Sequence, residues 1–337
     1  MDSIIPVGVE ETTNKSFNLG GQNDLRNRLI KSINSLLPIE GHALHKAAKI
    51  HFQDHGKLLR GVTVLMLAQA LGVKKRSATN WALAIELMHN ASLIHDDICD
   101  GDICRRKNNT VWSVISERTA ICFGDWLVAQ SFELAIESAL SSETKNIEVV
   151  RALTHTMLSL CEGQSSEFDQ KPILSWKNYD KHVLAKTSSL IVAAGEGPLL
   201  LAGVVKYKKI IKKALNCLGI AYQINNDIND VTGENIQTSH SDLTRRAPNA
   251  VSVAFNSLLL SSEKSNFINW LLSEDTVQTD YWIQQFIDAG AIKVCKMRSI
   301  ELVQEAKELL DQIPEEIRLA FCPLIFHLER SSQSQCD

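Results

Sequence analysis

Residues 76–99 read RSATNWALAIELMHNASLIHDDIC, and this stretch decides the fold class. Ala82, Ile85, Leu87, Met88, Ser92, Ile94 and His95 leave only short polar gaps, so nearly every face of a helix built from it is apolar or small. A helix of that kind is central and buried. The same period continues on either side. Long segments of similar character run over about 110–139, 146–168, 177–202 and 208–230, and amphipathic helices follow near 249–261, 282–312 and 314–328. The 337 residues include only 16 Gly and 7 Pro, which leaves long stretches without helix breakers. Strand-like alternation is scarce, no repeat of fixed period is visible, and no Gly-, Pro- or Ser-rich linker divides the chain. The expectation is an all-α, single-domain protein of ten to thirteen helices over residues 23–329. A flexible polar arm at 1–22 and a polar tail at 330–337 complete it.

Bulk composition removes several function classes. The net charge of -4 gives no basic field for nucleic acid. No run of about 18 apolar residues exists, so no transmembrane segment is expected. The N-terminus, MDSIIPVGVEE, lacks the basic start and apolar core of a secretory signal. None of the 8 cysteines forms a C-x-x-C pair, which fits a reducing, cytoplasmic setting better than a disulfide scaffold.

The chemistry sits at the end of the opening segment. Asp96 and Asp100 lie at i and i+4, with Asp97 between them, so two carboxylates project from one face of an otherwise apolar helix. They repel each other unless a hard divalent cation satisfies them. Magnesium takes one or two carboxylates, waters and phosphate oxygens. An isolated acidic triplet is more often a solvated helix end. A second cluster changes the balance: Asn226, Asp227 and Asp230 end another mostly apolar helix after Tyr222-Gln223. Two such ends facing each other could clamp a diphosphate through magnesium ions held between them.

Cations accompany these clusters. Lys57 and Arg60 in Gly56-Lys57-Leu58-Leu59-Arg60 are spaced i, i+3 at an expected helix start, where the N-terminus itself favours an anion. Arg105-Arg106 follow the first cluster, and His89 lies two turns before it. Lys186-Thr187 interrupts an apolar helix, where a buried lysine needs an anionic partner. Each signal alone is also compatible with a packed or surface residue. Together they describe a cavity with acidic rims, cationic anchors and apolar walls, suited to an amphiphilic diphosphate.

These motifs, over about 50–310, resemble the trans-isoprenyl diphosphate synthases, also called polyprenyl synthetases. The match includes Gly56-Lys57-x-x-Arg60, Glu86 through His95 ahead of Asp96-Asp97-x-x-Asp100, Arg105-Arg106, Gly163-Gln164-x-x-Glu167, Lys186-Thr187 and Tyr222-Gln223. The resemblance implies an isoprenoid synthase fold around a central apolar cavity, and a prenyltransferase that joins an allylic diphosphate to isopentenyl diphosphate. It implies that Asp96, Asp100, Asn226 and Asp230 hold magnesium, three ions with substrate bound, while Asp97 and Asp227 support catalysis. Arg105, Lys186, Thr187 and Gln223 would meet the allylic substrate, and Lys57, Arg60, His89 and Arg106 the isopentenyl diphosphate. It also implies a homodimer. In such enzymes the residue five before the first aspartate limits the product. Here that is Ala91, with Ser92 beside it and Met88 one turn deeper, so a twenty-carbon product is expected: geranylgeranyl diphosphate.

The sequence departs from the pattern at the second cluster. Its first aspartate is Asn226, the following loop is shorter, and the usual lysines are missing; His240, Arg245 or Arg246 could replace their charge. Asn226, Asp230 and Glu234 would share one face of a continuous helix, which resembles the second metal motif of class I terpene cyclases. A cyclase, or a non-catalytic subunit of another synthase, are the competing readings.

Overall fold

The computed structural model describes residues 19–168, 171–233, 241–273 and 278–333. Within them lie seventeen α-helical segments and a single two-stranded hairpin, Cys104–Arg105 with Asn108–Asn109. The all-α expectation holds, with more pieces than the ten to thirteen helices expected. The extra pieces come from local breaks. The segment expected at 282–312 divides into Thr279–Asp288 and Ala291–Leu310 at Gly290, whose φ of 77° ends helical geometry. The segment near 110–139 begins its long helix only at Glu117, where the Ser116 hydroxyl accepts the Thr119 N–H at 3.1 Å. Leu19–Leu36 is helical, so the last residues assigned to the arm belong to the folded body.

The decisive stretch forms the Lys75–Asp100 helix, and Trp81, Ile85, Leu87, Met88 and Ala91 are all buried in it. Its main partner is Glu117–Ser141, and Lys208–Thr232 packs likewise along Ala291–Leu310. Between these pairs runs Ser189–Ala202, which touches Leu59–Ala70, Lys75–Asp100, Glu148–Ser165 and Lys208–Thr232. Apolar residues gather in three clusters, and Met66 and Leu302 each pack against two of them, so the core is continuous.

A π-helical turn, Leu184–Ser188, joins Trp176–Val183 to Ser189–Ala202. Such a turn inserts one residue into the helix and re-aims its side chains. It fits only because two neighbouring helices present glycine to it. A Cβ on Gly163 would lie 2.8 Å from the backbone nitrogen of Lys186, and one on Gly219 would lie 2.2 Å from Ser188 Oγ. Gly163→Ala is therefore expected to push Glu148–Ser165 off the π turn and cost about 1–3 kcal/mol of stability. Urea denaturation checks this, and an unchanged midpoint contradicts it.

Candidate active site

Both acidic clusters lie in the last turns of buried helices, Lys75–Asp100 and Lys208–Thr232, and each helix stops at a left-handed glycine, Gly101 or Gly233. No basic residue occupies either last turn. The helix dipole opposes negative charge there, so each cluster needs cations from elsewhere.

At the first end the chain turns back as the short hairpin. Its two-residue turn, Arg106–Lys107, has positive φ at both positions, the backbone that a tight hairpin requires. This turn sends the two arginines in different directions. Arg105 Nε donates to Asp97 Oδ1 at 2.5 Å, and its Nη2 lies 3.7 Å from Asp102. Arg106 donates to the Asp54 carbonyl at 3.1 Å and packs flat on Gly56, where an added Cβ would meet its guanidinium at 2.7 Å. Arg26 donates twice to the Gly56 carbonyl, at 2.7 and 3.2 Å, and fixes the same loop from the first helix. Arg60 Nη1 stands 3.3 Å from His89 Nε2. Loss of water contact and the nearby Arg60 and Arg106 hold His89 well below its usual value, so it is neutral. Lys57 requires a correction. The helix starts at Leu59, after Leu58 in left-handed backbone, so Lys57 and Arg60 do not share a helical face. Lys57 is exposed and reaches His327 Nε2 at 3.2 Å, on the Cys322–Gln333 helix.

At the second end Asp227 is fully buried and accepts three hydrogen bonds: from Tyr179 Oη at 2.6 Å, the Ala250 N–H at 2.7 Å and Gln223 Nε2 at 2.8 Å. Thr187 Oγ1 donates to Gln223 Oε1 at 2.8 Å, which fixes the amide. Lys186, on the π turn, donates to Glu167 at 2.5 Å. Asn226 is exposed, whereas Asp230 is buried. The helix ends at Thr232, and Glu234, considered with Asn226 and Asp230 as a metal ligand, lies outside the described residues. His240 lies outside them too.

Arg245 reaches the first end from the short helix that follows the second. It extends from Ser241–Arg245 to Asp242 at 2.6 Å and to Asp100 at 3.0 Å, with Asp102 at 3.9 Å. Arg246 points elsewhere and covers the Trp270 ring at 4.0 Å. Of the three cations considered for this loop, Arg245 is therefore the one shown at the acidic ends. A small cavity opens between Lys186, Thr187, Gln223, Asp242 and Arg245.

Negative charge is in excess here. Burial pushes the Asp96 carboxyl up to about 6, with Lys186 opposing and Asp100 adding. Burial likewise takes Asp97 to about 6 against the pull of Arg105. Asp227 rises to about 8, because burial outweighs its hydrogen bonds. Asp100 and Asp102 are also raised, chiefly by burial. Among the described residues no three Asp, Glu, His or Cys side chains converge to hold a metal ion alone. Asp96 and Asp100 offer instead two hard oxygen ligands on one face, which fits magnesium that completes its shell with phosphate and water.

The family model described as polyprenyl synthetase matches residues 42–282 of this site-bearing chain. The chain belongs to the polyprenyl synthetase family. It is 32% identical over 284 residues to a geranylgeranyl pyrophosphate synthase of Geoglobus acetivorans, covering 82% of this chain and 86% of that protein. It is 28% identical over 289 residues to a geranylgeranyl diphosphate synthase of Methanosarcina mazei, covering 83% and 87%. The solved structure of the Geoglobus acetivorans geranylgeranyl pyrophosphate synthetase superposes with a TM-score of 0.77 at 27% identity, over 92% of this chain and 99% of that one.

Several residues that build this synthetase site escaped sequence reading. Tyr179 carried no signal beyond its place one turn before His182. Arg26 lies thirty residues from the carbonyl it holds. Asp102 and Asp242 were legible only as charges near the motifs, and Arg245 Nη atoms reach both. Ala91 and Met88, expected to set product length, are buried, and Ser92 donates to the His89 carbonyl at 2.8 Å.

The raised Asp96 value has a testable sign. Between about pH 4 and 6 the folded protein holds this proton more tightly than the unfolded chain, so the group's contribution to stability falls as pH rises through that window. Magnesium would take the proton's place. Millimolar magnesium is expected to raise the melting temperature more at about pH 7.5 than at about pH 5, and Asp96→Asn to remove the difference. Equal shifts at both pH values contradict the assignment.

Proposed function

We propose that the chain joins an allylic diphosphate to isopentenyl diphosphate and releases geranylgeranyl diphosphate. The observation that carries this is the division made by the hairpin. Arg105 is committed to Asp97 beside the first acidic cluster, whereas Arg106 is held on the Gly56 loop that Arg26 also grips, and Arg60 stands against neutral His89. Two diphosphates need two such groups of cations. A cyclase has one substrate and no use for the second. The synthase relatives named above favour neither the cyclase nor the non-catalytic subunit.

In this reading Asp96 and Asp100 on one side, with Asn226 and Asp230 on the other, hold magnesium, three ions in all. The metal supplies charge neutralisation of the departing allylic diphosphate. Lys186, Arg105 and Arg245 bind that diphosphate, and Thr187 and Gln223 orient it. Lys57, Arg60, His89 and Arg106 hold isopentenyl diphosphate so that its double bond faces the carbon losing diphosphate. Asp97 and Asp227 orient their neighbours, since each is buried and already committed to donors. No side chain acts as a nucleophile: the new bond forms between the substrates, and the proton then lost passes to the released diphosphate. Alignment and a dry, charged cavity do the work.

Residues 23–329 act as one domain here, and two copies form a homodimer. Exposed Ile121, Ile136 and Leu140 on Glu117–Ser141, with Leu158 on the adjoining Glu148–Ser165, offer the apolar surface for a second copy. Light scattering at the monomer mass would exclude the dimer. A cytoplasmic setting is consistent with seven free cysteines among the described residues; fractionation of cells tests it.

Farnesyl diphosphate, labelled isopentenyl diphosphate and magnesium are expected to yield a twenty-carbon product, and Ala91→Phe a shorter one. A terpene hydrocarbon made without isopentenyl diphosphate would sink the elongase reading, and an Ala91→Phe product of unchanged length would sink the depth assignment. Arg245→Gln should raise the allylic KM about tenfold, with Arg246→Gln near wild type. The reverse order would remove Arg245 from the diphosphate site.

A further inference from the structure

Lys186 does not meet Glu167 alone. The second Glu167 oxygen, Oε1, lies 3.1 Å from His182 Nε2, and the His182 Nδ1 lies 3.1 Å from Ser166 Oγ. His182 and Glu167 are both largely buried, with side chains 7% and 12% exposed. Ser166 has one hydroxyl proton, and the Gly163 carbonyl takes it at 2.7 Å. Ser166 Oγ can then only accept from His182 Nδ1, and an ionised Glu167 can only accept from Nε2. With the hydroxyl proton on the Gly163 carbonyl both ring nitrogens face acceptors, an arrangement that an imidazolium satisfies.

The charges around this point decide what the arrangement is for. Lys186 and Glu167 by themselves sum to zero. An anion in the adjoining cavity would meet a neutral pair, with the acidic Asp96 and Asp100 nearby. With His182 as the imidazolium the trio carries one net positive charge.

We propose that His182 is a positioning residue that offsets the charge of Glu167, so that Lys186 keeps its full attraction for the allylic diphosphate. The inference rests on the elongase reading and adds a residue to it. The sequence spacing supports the arrangement: His182 and Lys186 are four apart across the entry to the π turn, and Ser166 and Glu167 follow directly on the Glu148–Ser165 helix.

Three variants test it: His182→Gln, Glu167→Gln and the two together. Binding is read by calorimetry with farnesyl thiolodiphosphate, an unreactive allylic analogue, in magnesium. KM values for farnesyl and isopentenyl diphosphates are read alongside. His182→Gln is expected to weaken analogue binding and raise the farnesyl KM about tenfold, with the isopentenyl KM unchanged. The double variant is expected to return to within about threefold of wild type, because the charge that His182 offset is gone too. A merely structural histidine would leave the double variant at least as weak as the single. Wild-type affinity in His182→Gln, or no recovery in the double variant, overturns the proposal. If His182→Gln does not fold, Glu167→Gln decides: affinity equal to or tighter than wild type supports the offset, and weaker affinity overturns it. Wild-type protein that elongates no allylic substrate would instead overturn the elongase reading.

Discussion

Carboxylates gathered at the C-terminal ends of two buried helices are the constraint on which the rest of this structure depends. The helix dipole opposes charge there, and burial, with acidic neighbours adding, raises Asp96, Asp100 and Asp227. Such an arrangement is tolerable only if cations arrive from outside those helices. Arg105 comes from the hairpin, Lys186 from the π turn and Arg245 from the short helix after the second cluster. Arg245 holds Asp242 of its own helix and Asp100 of the first end at once.

The backbone around the site serves this placement. Positive φ at Arg106 and Lys107 folds the hairpin tightly, and so gives two adjacent arginines different partners, Asp97 for Arg105 and the Asp54 carbonyl for Arg106. The π turn moves Lys186 toward Glu167, and glycines on both flanking helices make room for it. Tyr179 and the Ala250 N–H hold Asp227 so firmly that its carboxylate has little freedom to swing toward a metal, and in the proposed function that role at this end falls accordingly to Asn226 and Asp230. The two ends are thus unequal: the first presents two aspartates four residues apart, the second an exposed amide and a buried carboxylate.

Much of this was legible in the sequence, for physical reasons. The nearly all-apolar face of residues 76–99 leaves a helix no choice but the centre, and the paired acidic ends stand out because they interrupt it. Helix stops were less legible, since Gly290 breaks a segment whose apolar period runs on past it. Contacts between distant residues were not legible at all. Arg26 on Gly56 and Tyr179 on Asp227 depend on tertiary placement that no local pattern encodes. The choice between Arg245 and Arg246 also needed the fold. Adjacent arginines are equivalent in sequence, and only the left-handed turn at Arg246 sends one to the acidic ends and the other onto Trp270.

The central claim is that excess negative charge at these helix ends exists to hold divalent metal against a diphosphate. Anomalous diffraction from crystals grown with manganese and farnesyl thiolodiphosphate tests it most directly. The account predicts manganese peaks against Asp96 and Asp100, with the Arg245 guanidinium turned from Asp100 to the diphosphate. A diphosphate bound with no metal at Asp96 or Asp100, and Arg245 still paired with Asp100, would contradict it.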